Sequence, residues 1–94
     1  MLSQFDNVPV YGRLVATLEP ESGLPNRLLD LFAARGVLPV AFDFRIDRRR
    51  KEAHLRVDAV MGEQDWSILC ARAAGSVGVL RFEQSTATLE QQAA

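Results

Sequence analysis

The chain has 94 residues, 48% of them apolar and 24% charged, with 11 basic against 12 acidic side chains. This is the composition of one small globular domain, and it excludes a second core, a disordered polymer, a collagen-like repeat and a disulfide scaffold. A net charge of −1 and a lone cysteine, Cys70, offer neither a general positive field for a polyanion nor a thiolate cluster for zinc or iron–sulfur, so no nucleic-acid partner, metal or other cofactor is expected.

Met1 to Val10 reads as an N-terminal extension. It has neither the basic start nor the apolar run of a signal peptide, and nowhere do eighteen apolar residues follow one another, so a cytoplasmic protein with no membrane contact is expected. The domain proper is placed at residues 11–84. From Tyr11 to Glu19, Leu14, Ala16 and Leu18 alternate with Arg13, Val15 and Thr17, the pattern of a strand with one buried face. Pro20 to Gly23 are turn formers, and Leu24, Leu28, Leu31 and Phe32 then recur at helical spacing. The helix is expected over about Gly23 to Arg35, with Ser22 as N-cap, Pro25 in the first turn and Gly36 closing it as the C′ residue.

Val40, Phe42, Phe44 and Ile46 alternate with Ala41, Asp43, Arg45 and Asp47, which predicts a second strand over Val37 to Ile46. The charged run Arg48-Arg49-Arg50-Lys51, bracketed by Asp47 and Glu52, reads as a solvated hairpin turn. Alternation resumes with Leu55, Val57 and Ala59 against His54, Arg56 and Asp58, the third strand. Beyond Met61-Gly62, Trp66, Leu69, Cys70 and Ala73 form the stripe of a second, shorter helix, with Glu63 and Asp65 at its start and Gly75 past its end. Val77 to Gln84 reads as a fourth strand, and residues 85–94 as a frayed polar tail.

The order β-α-β-β-α-β with right-handed crossovers gives a four-stranded antiparallel sheet carrying both helices on one face, the α+β ferredoxin-like arrangement. The helix stripes are expected to meet Leu14, Ala16, Leu18, Phe42, Phe44, Leu55, Val57 and Phe82. Catalysis by a nucleophile and base would have to draw on the one histidine and one cysteine, and alternation puts His54 and Cys70 on opposite sides of the sheet. No catalytic residues are assigned and the chain is not expected to be an enzyme. The open face lacks the stacking aromatics of RNA-binding domains with this topology.

The turn between the first strand and first helix is the remaining candidate site. Gly23 permits close backbone approach, and the N–H groups at a helix start attract a carboxylate. Within the stretch GLPNRLLDLFAARGV, Gly23, Arg27, Leu31, Phe32, Arg35 and Gly36 fall in register with a helix-opening glycine, an arginine four residues on and a closing Leu-Phe-x-x-Arg-Gly. This pattern resembles the ACT domain, a small module that binds amino acids, and more narrowly the short small (regulatory) subunit of acetohydroxyacid synthase (acetolactate synthase) of the isozyme II type. The segment Gln84-Ser85-Thr86-Ala87-Thr88 is similar to that subunit's ending.

The resemblance implies a non-catalytic regulatory protein of branched-chain amino-acid biosynthesis. It would form a homodimer by joining sheet edges and would activate or stabilise a large catalytic subunit. A free-standing amino-acid sensor is the alternative. Valine-sensitive subunits carry asparagines where this chain has Pro20 and Leu38, so any amino-acid ligand would be held by the backbone of Glu21, Ser22, Gly23 and Leu24. The second strand is an edge in this topology, with Pro39 near its start, so pairing with a partner is expected from Val40 onward.

Overall fold

A computed structural model of the chain describes residues 7–20 and 23–89. These residues build β1 (Pro9–Leu18), α1 (Leu24–Ala33), β2 (Ala41–Asp47), β3 (Glu52–Gly62), α2 (Glu63–Ala74) and β4 (Val79–Ala87). The strands form one antiparallel sheet in the order β2-β3-β1-β4, so the fold is α+β and ferredoxin-like, as the sequence pattern predicts.

Alternation along β1 sends Val10, Leu14, Ala16 and Leu18 to the helix side. There the register sets them beside Ala53, Leu55, Val57, Ala59 and Met61 of β3. Leu24, Leu28 and Phe32 of α1 and Trp66, Leu69, Cys70 and Ala73 of α2 complete the same core. Burying a large apolar side chain here contributes roughly 1.5–3 kcal/mol. Trp66 is the largest buried residue, and it lies flat over Gly12: a Cβ built on Gly12 would stand 2.6 Å from two atoms of its ring. Its indole N–H donates to Oε1 of Gln84 at 2.8 Å, which satisfies the one polar atom that burial would strand.

The start of α2 is capped from far along the chain. Gly62 carries no side chain to cap the helix, and Asn7 fills that role: its Oδ1 accepts from the backbone N–H of Gln64 at 3.1 Å and of Asp65 at 3.4 Å, while its Nδ2 donates to Asp65. The N–H of Glu63 donates to the carbonyl of Val8 at 2.8 Å. At the other end of α1, Gly36 has φ of +68°, and the N–H groups of Val37 and Gly36 donate to the carbonyls of Phe32 and Ala33. This is a Schellman closure, with Gly36 in the C′ place that its sequence position suggests.

Several expectations are corrected. The expected N-cap, Ser22, lies outside the described residues, and Gly23 precedes the helix without a side-chain cap. The first helix ends at Ala33, before the expected Arg35. The second helix is the longer, with 12 residues against 10. The second strand begins at Ala41, because Val37 to Val40 approach the sheet as an irregular lead-in.

Phe42 is 46% exposed, and Phe44 and Phe82 are only partly buried, because the outer strands reach beyond the cover the helices supply. The domain is also wider than residues 11–84. Pro9 and Val10 belong to β1, and Ser85, Thr86 and Ala87, expected in the frayed tail, pair with Arg13, Gly12 and Tyr11. A polar edge strand gives little alternation to read. The rest of the expected tail that falls in 90–94, and residues 1–6 of the expected extension, lie outside the described residues.

Candidate functional site

Of the four residues expected to hold a ligand, Glu21 and Ser22 lie outside the described residues. Gly23 is half-buried, and its carbonyl accepts the first helical bond from Arg27 N–H at 3.1 Å. Leu24 is fully buried with its methyl groups against Gly78, so its side chain belongs to the core and only its backbone faces the turn. Pro25, one residue on, has no N–H, which thins the row of donors at the helix start. The turn leans on the approach to β4, where Gly78 has φ of +96° and its carbonyl accepts the N–H of Glu19 at 2.8 Å. Arg35, the last arginine of the quoted motif, holds its Nε out of water with no hydrogen-bond partner among the described residues.

The sheet face away from the helices carries a cluster that the sequence pattern does not single out. Asp58, on β3, is 1% exposed. Its carboxylate accepts from Arg13 Nε at 2.9 Å, Arg13 Nη2 at 3.0 Å and the Tyr11 hydroxyl at 2.7 Å, with Arg56 Nε 3.8 Å away. The pairing of β1 with β3 sets Arg13 directly opposite Asp58, and Tyr11 stands two residues away on the same face. Burial alone would push the Asp58 carboxyl up. The bonds from Arg13 and Tyr11 and the charges of Arg13 and Arg56 outweigh it and hold the group below its ordinary value. The same contacts raise the Tyr11 phenol and the Arg13 guanidinium, chiefly through their hydrogen bonds to Asp58. The signal in sequence was an acid and an arginine on the same polar face of paired strands; the register that joins them was not legible.

Along that face, Asp43 stands opposite Arg56 and Arg45 opposite His54. A hollow of about 200 Å³ is lined by Val15, Asp43, Arg45, His54 and Arg56. His54 lies on this face and Cys70 in the core, on opposite sides of the sheet as the alternation predicts. Burial drives the Cys70 thiol up to about 12, so it remains a protonated thiol at neutral pH. The basic turn is built by Asp47, whose Oδ1 accepts the N–H groups of Arg49 and Arg50 at 3.1 Å, and its four cations are exposed. Among the described residues, no group of three or more His, Cys, Asp or Glu side chains could hold a metal ion, and no helix is long and apolar enough to cross a membrane.

The outer edge of β2 is apolar on the helix side. Ile46 is 57% exposed, in line with the 46%-exposed Phe42 and the partly buried Phe44, and in the lead-in Leu38 and Val40 are 86% and 58% exposed. As an edge strand, β2 also leaves one row of backbone N–H and C=O groups without a strand partner.

A four-stranded β2-β3-β1-β4 sheet with two helices on one side defines the chain, by fold, as an α+β ferredoxin-like domain. No protein-family model and no curated protein matches the sequence. Solved structures do match in fold. An uncharacterized protein of Thermotoga maritima superposes with a TM-score of 0.68 at 11% identity, covering 83% of this chain and 96% of its own. The ACT domain of the GTP pyrophosphokinase of Chlorobium tepidum gives 0.61 at 11% identity, covering 84% and 99%. A homoserine dehydrogenase of Thiobacillus denitrificans gives 0.71 at 11% identity, where 86% of this chain matches 18% of that one.

Proposed function

We propose that this protein is a non-catalytic regulatory domain that works as a homodimer joined through the β2 edge and acts on a larger catalytic subunit. The carrying observation is the β2 edge itself, where a row of exposed apolar side chains lies beside a row of open backbone groups. A chain of 94 residues buries only about two-thirds of its unfolded surface, so covering that edge adds stability that a lone domain of this size lacks. The ACT-like fold is consistent with such a role, although fold alone does not assign one.

The motif from Gly23 to Gly36 and the segment Gln84 to Thr88 favour the small subunit of acetohydroxyacid synthase as the type, with a thiamine-diphosphate-dependent large subunit as the partner. Co-expression with that large subunit is expected to give co-purification and higher turnover. Unchanged turnover and no co-purification would refute the reading.

The second reading, a free-standing amino-acid sensor, is favoured by one observation: the Gly23 turn sits at a helix start beside the Gly78 turn. An amino acid held there would rely on the backbone of Glu21, Ser22, Gly23 and Leu24, because the Leu24 side chain is committed to the core. A thermal-shift screen of the twenty amino acids at millimolar concentration tests it. One or a few stabilising ligands are expected on this reading, and a flat response rejects it.

A further inference from the structure

The sequence of β2 is complementary to itself in a single register. The strand runs from Ala41 to Asp47 with Phe44 at its centre. In an antiparallel pair formed about a two-fold axis normal to the sheet, facing residues share a face, so both copies keep their helices on the same side. With the axis through Phe44, Phe44 meets its own copy, Phe42 meets Ile46 of the second copy, and Asp43 meets Arg45. All seven residues find partners. Moving the axis to residue 43 or 45 sets Asp43 against Asp43 or Arg45 against Arg45. Moving it further leaves the strand's ends paired with the irregular lead-in or with the basic turn. Turning one copy over, so that the helices lie on opposite faces, makes the two β2 strands parallel and removes the reciprocal Asp43–Arg45 facing altogether.

We propose that two copies of this chain join through β2 with Phe44 on the two-fold axis and with reciprocal Asp43–Arg45 pairs across the seam. This rests on the edge dimer of the preceding reading and adds the register and the charge code that fix it. Within one chain, Asp43 and Arg45 are exposed and lie opposite Arg56 and His54 of β3, while their outer sides face the open edge. Opposite charges directly across an antiparallel pair favour that register, and like charges there oppose it. The exposed Phe42 and Ile46 then cover each other, and the partly buried Phe44 side chains close the middle of the seam.

The experiment uses three full-length forms: the native chain, Asp43→Arg and Arg45→Asp. Both substituted positions are exposed, Asp43→Arg sets a second cation opposite Arg56 of its own chain, and circular dichroism with thermal unfolding checks that each variant is folded at the assay temperature. Sedimentation velocity at tens of micromolar is expected to show a native dimer. Each variant alone sets two like-charged pairs in the seam, and its dissociation constant is expected to rise at least about tenfold. An equimolar mixture of the two variants restores both opposite-charge pairs in the heterodimer, and it is expected to dimerise like the native chain. An effect confined within one chain cannot be rescued by mixing. Variants that dimerise as tightly as the native chain, or a mixture no tighter than its components, would overturn the register while leaving the edge dimer standing. A native chain that stays monomeric would overturn the edge dimer itself.

Discussion

Replacing Asp58 by asparagine keeps the side chain's shape and removes its charge, which makes it the sharpest probe of the open-face cluster. Three donor bonds, at 2.7, 2.9 and 3.0 Å, converge on the two carboxylate oxygens. Asparagine offers a single acceptor oxygen and turns an amide N–H toward donors, so at least one donor loses its partner. Bonds to a charged group contribute about 1.5–3 kcal/mol, and removing one member of a buried ion pair costs about 3–5 kcal/mol. Arg13 and Arg56 are 45% and 46% exposed and recover water when the acid is gone, so the cost falls toward the lower of these figures.

The expected loss from Asp58→Asn is about 2 kcal/mol at neutral pH, or roughly 8–16 °C in melting temperature for a domain of this size. The pH dependence supplies a second readout. The folded-state Asp58 carboxyl lies below its ordinary value of 3.8, so its stabilisation is present above that value and is lost as pH falls through the folded pKa. Urea unfolding of the native chain and the variant should therefore differ at neutral pH and converge in acid. A difference under about 0.5 kcal/mol at neutral pH, or a gap that persists unchanged into strong acid, would refute the reasoning.

Other consequences are open to direct measurement. Gly12→Ala places a methyl group 2.6 Å from the Trp66 ring and is expected to cost about 1–3 kcal/mol, with a red shift of the chain's single tryptophan emission as the indole leaves its bed; unchanged emission and stability would contradict the packing. Asn7→Ala removes the side-chain acceptor for Gln64 and Asp65 and is expected to cost about 1 kcal/mol in thermal unfolding. Cys70, buried and with its thiol pushed up to about 12, is expected to resist thiol reagents at neutral pH in the folded protein and to react fully in denaturant; rapid labelling of the folded form would show that the site opens.

Periodicity located every strand and helix, because alternation at Leu14, Ala16 and Leu18 and helical spacing at Leu28, Leu31 and Phe32 follow directly from which face is buried. It could not say how far that burial extends. Phe42 shares the face of Leu55 and Val57, but the helices do not cover the outer strand, so the same pattern that predicts core there ends in an exposed edge. Ser85 to Ala87 were missed for the opposite reason: an edge strand with both faces polar alternates in nothing. The two most specific polar arrangements, Asn7 at the start of α2 and Tyr11 and Arg13 on Asp58, depend on strand register. That is decided by the summed pairing of whole strands and leaves no mark on either short stretch of sequence.

β1 is the first strand in the chain and an inner strand of the sheet, where Tyr11 lies between Val60 on one side and Ala87 on the other. Its neighbours, β3 and β4, both leave the ribosome well after it, and β4 is the last element of the domain to do so. During synthesis β1 has no partner until the β2–β3 hairpin has emerged, and one of its edges stays bare until β4 follows. Such long-range pairing makes folding slow relative to helical domains of equal size, and it leaves the apolar face of β1 open to wrong neighbours while it waits. The polar strand that closes the sheet thus also ends the interval in which this chain is most prone to aggregate.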